Sequence, residues 1–164
     1  MLPLHTRLVS DCPRLGEEDY RETSPARRRC NCFGWVVGDE ERPWYPRGEP
    51  DRSFWPPGIR DDFSAEAFAE AYATRGFRPS STGGSLVEGL EKIALYLDDE
   101  GEPSHAALQR PGGRWSSKMG TWEDIEHDST GCLEGGTYGR VALFLERPRK
   151  PAEEKAESCK PSPS

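Results

Sequence analysis

Apolar and polar positions along this chain follow two different periods, and the change of period divides it. Between residues 63 and 77, Phe68, Ala71 and Tyr72 recur at helical spacing. Ser64 is a suitable N-cap, and Phe63 and Phe68 have the spacing of a hydrophobic staple. Gly76 followed by Phe77 fits a Schellman ending. The pattern predicts a core-packing helix over residues 64–75. Beyond residue 85 the chain reads as strands. Lys92-Ile93-Ala94-Leu95-Tyr96-Leu97 suits a buried strand that starts near Leu90, and Ser104 to Gln109 and Arg114 to Lys118 suit two more. Polar turns at 98–103 and Pro111-Gly112-Gly113 separate them. Residues 121–136 read as a loop carrying Asp124, Glu126, His127 and Asp128, and Tyr138 to Leu145 as a last strand.

The first third of the chain is irregular. Residues 1–27 hold few apolar positions and no clear period, so 1–19 is expected to be a loosely ordered lead-in, extended by residue 20. Asn31 is a good N-cap and Gly38 suits the residue past a helix end, which predicts a brief helix with Cys32 in its first turn. Residues 44–57 combine Trp44, Tyr45, Phe54 and Trp55 with Pro46, Pro56 and Pro57, a density of proline that excludes a helix or central strand. These aromatics form either a lid over the core or the wall of a cleft. From Pro148 the composition turns to Pro, Lys, Glu and Ser, and a disordered tail is expected over 148–164. The reading is one α+β domain over residues 1–147.

Composition narrows the function. The chain has 164 residues and a net charge of −7, which speaks against general nucleic-acid binding and gives no attraction to an anionic membrane. No apolar stretch approaches the roughly 20 residues of a membrane span, and the N-terminal residues lack the apolar core of a signal peptide. A cytoplasmic location is expected, with signal-independent secretion as the alternative. Five cysteines are an odd number for a disulfide framework.

The candidate chemistry centres on Cys32. A helix start carries partial positive charge and free N–H groups, both of which favour the thiolate, and Arg28 and Arg29 lie just before it. The bland alternative is a small buried hydrophobe. His105 sits near the start of a strand between small residues and would serve as base, with a third group fixing its ring. A three-residue loop at 111–113 pairs Ala107 with Ser117 and places His105 diagonal to Ser117 on one face. A loop one residue different brings Ser116 and Lys118 there instead. His127 or Asp124 could also reach in. A rival zinc set, Cys30, Cys32, His105 and His127, has a tighter Cys spacing than structural zinc pairs, so neither metal nor cofactor is expected.

The order of these residues resembles papain-like cysteine hydrolases in their compact NlpC/P60-like form, and within them a bacterial family of unassigned function. The matching residues are Asn31-Cys32-x-x-Trp35, Lys92 to Tyr96, His105-Ala106-Ala107-x-Gln109, Trp115-x-Ser117-Lys118-x-Gly120, Asp124-Ile125-Glu126-His127 and Tyr138-Gly139, over about residues 20–147. The resemblance implies a Cys–His hydrolase or acyl transferase acting on a peptide or small amide or ester through a thioester. Cys32 would be nucleophile and His105 base. The third residue, a dozen positions after the His, falls at Ser117, where the family more often has His, Asn or Asp; His127 is the second candidate. Asn31, Trp35, Gln109 and Lys118 would contact substrate. Two other readings fit the residues: a non-catalytic module of the same fold that binds a partner through loop 44–57, and an effector or toxin.

Overall fold

A computed structural model describes residues 2–26, 29–120 and 122–150. The elements are α1 (Leu4–Asp11), β1 (Tyr20–Ser24), α2 (Cys32–Trp35), α3 (Ala65–Ala73), β2 (Arg78–Pro79), β3 (Leu90–Leu97), β4 (Pro103–Gln109), β5 (Trp115–Lys118), β6 (Asp124–His127) and β7 (Arg140–Pro148). The strands make one antiparallel sheet in the order β1-β6-β5-β4-β3-β7-β2. The architecture is α+β. Among the described residues no helix is long and apolar enough to cross a membrane.

Local signals explain most of these elements. Ser64 caps α3 by accepting from Ala67 N at 3.0 Å, and Phe63 stands 6.3 Å from Phe68 as a staple. The helix ends with Gly76 at φ 89° and Phe77 N bonded back to Tyr72 O. The β4–β5 hairpin uses the three-residue loop: Arg110 N bonds Arg114 O, and Leu108 and Gln109 pair with Ser116 and Trp115. Its register puts Ala107 opposite Ser117.

The sheet is buried on both sides. On one face α2, α3 and the aromatic loop bring Cys32, Phe33, Val36, Trp44, Phe68 and Tyr72 onto Ile93, Leu95, Ala106 and Leu145. On the other, Leu8, Cys12, Leu15, Met119 and Leu133 cover Ala94, Tyr96, Ala107, Trp115 and Ile125. Two covered faces account for the nearly unbroken burial of β3.

Three expectations need correction. The lead-in expected over 1–19 is, from residue 2 onward, an ordered part of the second core, because Leu4 and Leu8 fall one helical turn apart and Leu8 is fully buried. Residues 124–127, read as loop, are strand β6, held between β1 and β5. The expected tail begins too early. Pro148 closes β7, and Arg149 donates to Leu90 O and Gln109 O; the tail from 151 onward lies outside the described residues.

Removing the Leu8 side chain leaves a cavity beneath the sheet. Leu8→Ala is expected to cost about 2–5 kcal/mol in urea unfolding, whereas Leu2→Ala, at an exposed position, stays within about 0.5 kcal/mol.

Candidate functional site

Asn31 organises the segment around Cys32. Its Oδ1 accepts from Gly34 N, capping α2, and also from Trp44 N, both at 3.0 Å. Its Nδ2 donates to Trp44 O at 3.0 Å. One buried amide therefore caps a single-turn helix and clasps the start of the aromatic loop. Gly34 is required by this approach: a Cβ there would lie 2.7 Å from the Trp44 ring. Asn31 is thus a structural clamp, committed to protein partners.

Cys32 occupies the first position of α2, as its cap predicts. Burial pushes its thiol up from 9.0 to about 12, against the pull of the Ala106, Cys32 and Phe33 backbone N–H groups and the Lys118 charge. The helix start favours the thiolate, but desolvation outweighs it. The lowered thiol expected from the sequence is not formed.

His105 leaves β4 on the other side. Ala106 faces α2, so the residues before and after it, His105 and Ala107, face the second core. The imidazole stacks on Tyr138 with centroids 4.3 Å apart and meets the edge of Tyr96 at 5.3 Å. Among the described residues no hydrogen bond joins Cys32 to His105. Cys32 belongs to one core and His105 to the other, so the proposed thiol–imidazole pair is not assembled in this conformation.

His105, Ser117 and His127 do come together. Trp115 pairs with His127 across β5 and β6, and this register carries Ser117 and His127 to the His105 face. His105 Nε2 lies 3.0 Å from Ser117 Oγ, which lies 2.8 Å from His127 Nε2. His127 Nδ1 lies 2.8 Å from Ser129 O. A carbonyl only accepts, so Nδ1 of His127 carries its proton and Nε2 is the acceptor. Ser117 then donates to His127 and accepts from His105 Nε2–H, leaving Nδ1 of His105 with the lone pair. These tautomers follow from the bonding network. Burial lowers His105 to about 3 and His127 to about 4, so both rings are neutral near pH 7. Cys132 Sγ also lies 3.8 Å from His127 Nδ1 and donates to Ser129 O at 3.0 Å, a thiol contact the sequence reading did not single out. Its only signal was the spacing of five residues from His127.

The remaining expected site residues are dispersed. Lys118 is fully buried on the Cys32 face, donating to Trp122 O at 3.0 Å with Asp124 at 3.9 Å. Gln109 donates to Gly84 O at 2.9 Å, and its Oε1 has no hydrogen-bond partner among the described residues. Trp35 packs at the edge of the first core and lines a shallow cleft with Gly38, Leu108 and Arg147. The rival zinc ligands are divided between the two faces, and no cluster of three or more metal-ligating side chains occurs among the described residues. Arg28 lies outside the described residues.

The aromatic loop forms both of the alternatives weighed for it. Trp44 is a buried lid, stacked 6.1 Å from Tyr72. Tyr45, Phe54 and Trp55 line a cleft of about 340 Å³ with Ile59, Arg42, Arg47 and Asp61. The arginines were missed because nothing in their spacing marks them; the fold of the loop brings them together.

Two outcomes follow. Asn31→Ala leaves three backbone groups unpaired and should cost about 2–4 kcal/mol in urea unfolding. The two histidines bind protons more readily unfolded, near pH 6.5, than folded. Their contribution to stability is therefore complete above pH 6.5 and declines as the pH falls, a decline that urea midpoints between pH 6.5 and about 5 should register before the carboxylates titrate.

No curated protein and no solved structure matches the chain. A family model described as "Domain of unknown function (DUF7689)" matches residues 21–146, from β1 into β7 and across every element of the site, and the chain belongs to this family.

Proposed function

We propose that this chain is a binding module of papain-like form that holds a peptide segment against loop 44–57 without turning it over. The papain-like form is supported by the order of a cysteine-bearing helix, a core helix and an antiparallel sheet with His105 on an inner strand. The observation that carries the binding role is the cleft of about 340 Å³ walled by Tyr45, Phe54 and Trp55. Small ligands and peptide side chains occupy clefts where aromatic walls meet polar groups that fix orientation, and here Arg42, Arg47, Ser53 and Asp61 stand beside the rings. The loop is preformed: Asn31 clasps Trp44, Tyr45 N bonds Phe54 O, and Trp55 Nε1 bonds Arg60 O. Preformed loops lose less entropy on binding. The thiol and the imidazole, by contrast, are both buried and unpaired with each other.

A second reading, the Cys–His hydrolase or acyl transferase, is favoured by the directed chain from Ser129 O to His105. It leaves Nδ1 as the acceptor a thiol base needs. In that reading a rearrangement at β4 brings the ring to Cys32. His105 takes the thiol proton, the thiolate attacks the carbonyl and the C–N or C–O bond breaks, the departing amine or alcohol taking that proton from His105; water or a second amine then attacks the thioester, releasing the acyl group and returning the thiol.

Iodoacetamide labelling separates the two. The module reading expects native Cys32 to react more slowly than free glutathione from pH 6 to 9. Labelling faster than glutathione, with a midpoint well below the ordinary thiol value of about 8.5, would establish the hydrolase reading in its place. In parallel, the indole N–H resonance of Trp55 should shift saturably with a mixture of random heptapeptides and lose that response in Phe54→Ala.

A further inference from the structure

Two arginines line the cleft, and the protein treats them differently. Arg42 is answered: its Nε and an end nitrogen reach Asp39 at 3.2 and 3.1 Å, and its guanidinium lies 4.0 Å over Phe54. Arg47 is held in place by Asp61 without an ion pair at its side chain among the described residues. Its backbone N–H donates to Asp61 Oδ1, and its Nε donates to the Asp61 carbonyl at 2.8 Å. Among the described residues no ion pair forms at its guanidinium, whose two end nitrogens remain as donors beside the cleft.

The backbone at Arg47 adds a second observation. Its φ is +59°, the only positive value at a described residue other than glycine. A side chain bearing a Cβ rarely adopts this conformation, and such outliers concentrate where a group must be presented in a set direction. The neighbouring Gly48 is closely approached by Ser53, whose Oγ would lie 2.0 Å from a Cβ placed there. The chain thus keeps a strained arginine, pinned at Nε, at the rim of an aromatic pocket.

We propose that this cleft takes a ligand carrying a carboxylate next to an aromatic or aliphatic group. The end nitrogens of Arg47 grip the carboxylate through paired charge-assisted hydrogen bonds, and Tyr45, Phe54, Trp55 and Ile59 take the apolar part. The Asp61 carboxylate also lines the cleft; one oxygen is occupied by the Arg47 N–H. This inference rests on the binding-module reading and assigns its ligand class. The carboxylate is either the C-terminus of a peptide or an acidic side chain within one, and both present the same group to the guanidinium.

The test uses three probes against the full chain, followed by the Trp55 indole resonance and by calorimetry. They are N-acetyl-Ala-Phe as free acid, the same dipeptide as its amide, and N-acetyl-Glu-Phe amide. At least one carboxylate probe is expected to bind about tenfold or more tighter than N-acetyl-Ala-Phe amide; which one does so identifies the source of the carboxylate. Arg47→Gly accommodates the positive φ without strain; it should abolish the advantage, and Arg52→Gln, at an exposed arginine outside the cleft lining, should retain it. Equal binding of all three probes, or an advantage that survives in Arg47→Gly, overturns the carboxylate class while the module reading stands. Failure of every probe to bind, together with no response to the heptapeptide mixture, overturns both.

Discussion

The two-residue period of β4, with both faces of the sheet covered, governs what this protein can do. His105, Ala106 and Ala107 are consecutive, and the pleat sends them alternately to opposite cores. Ala106 meets the layer that holds Cys32, and His105 meets the layer that holds Ser117, His127 and Tyr138. A one-residue slip would exchange the two sets and bury the wrong residues on both faces, so the register is strongly specified. Backbone pairing between β4 and β5 joins Leu108 to Ser116 and Gln109 to Trp115. Further along, the side chains of His105, Ser117 and His127 bind the same strands together. The buried polar chain is therefore part of the sheet's cohesion, whatever chemistry it also supports.

The state of Cys32 illustrates how magnitudes decide between effects. A helix start stabilises a nearby anion by about 0.3–1 kcal/mol, and up to about 2 in partly buried sites. At 1.36 kcal/mol per pKa unit this amounts to little more than one unit. The thiol nonetheless rises from 9.0 to about 12 once α2, α3 and the aromatic loop close over it. The same closure creates the neighbouring cleft. Trp44 is drawn inward by the Asn31 amide and covers the core, and the residues that follow it wall the pocket with their exposed sides.

Elements with strong local signals were legible in the sequence. The caps Asn31 and Ser64, the staple of Phe63 on Phe68, the glycine stop at 76 and the hairpin at 111–113 depend on contacts within a few residues. Helix α1 was missed because two leucines one turn apart carry too little period to register. Strand β6 was missed because Asp124-Ile125-Glu126-His127 is polar in composition, and pairing on both edges rather than propensity makes it a strand. Of the candidate site, His105 was named as the base with Ser117 or His127 as alternatives for the third residue, and all three meet in one hydrogen-bonded chain.

The sequence by itself determined how the local elements begin and end and which titratable residues stand on them, because caps, turns and periodicity act over a few positions. Only the tertiary structure decided which of those residues share a compartment. The face of each strand follows from pairings between residues far apart in the chain, and those same pairings set how deeply a thiol or an imidazole is buried. Arg47 acquired its distinction in the same way: its backbone conformation and its fixed Nε come from contact with Asp61, fourteen positions away.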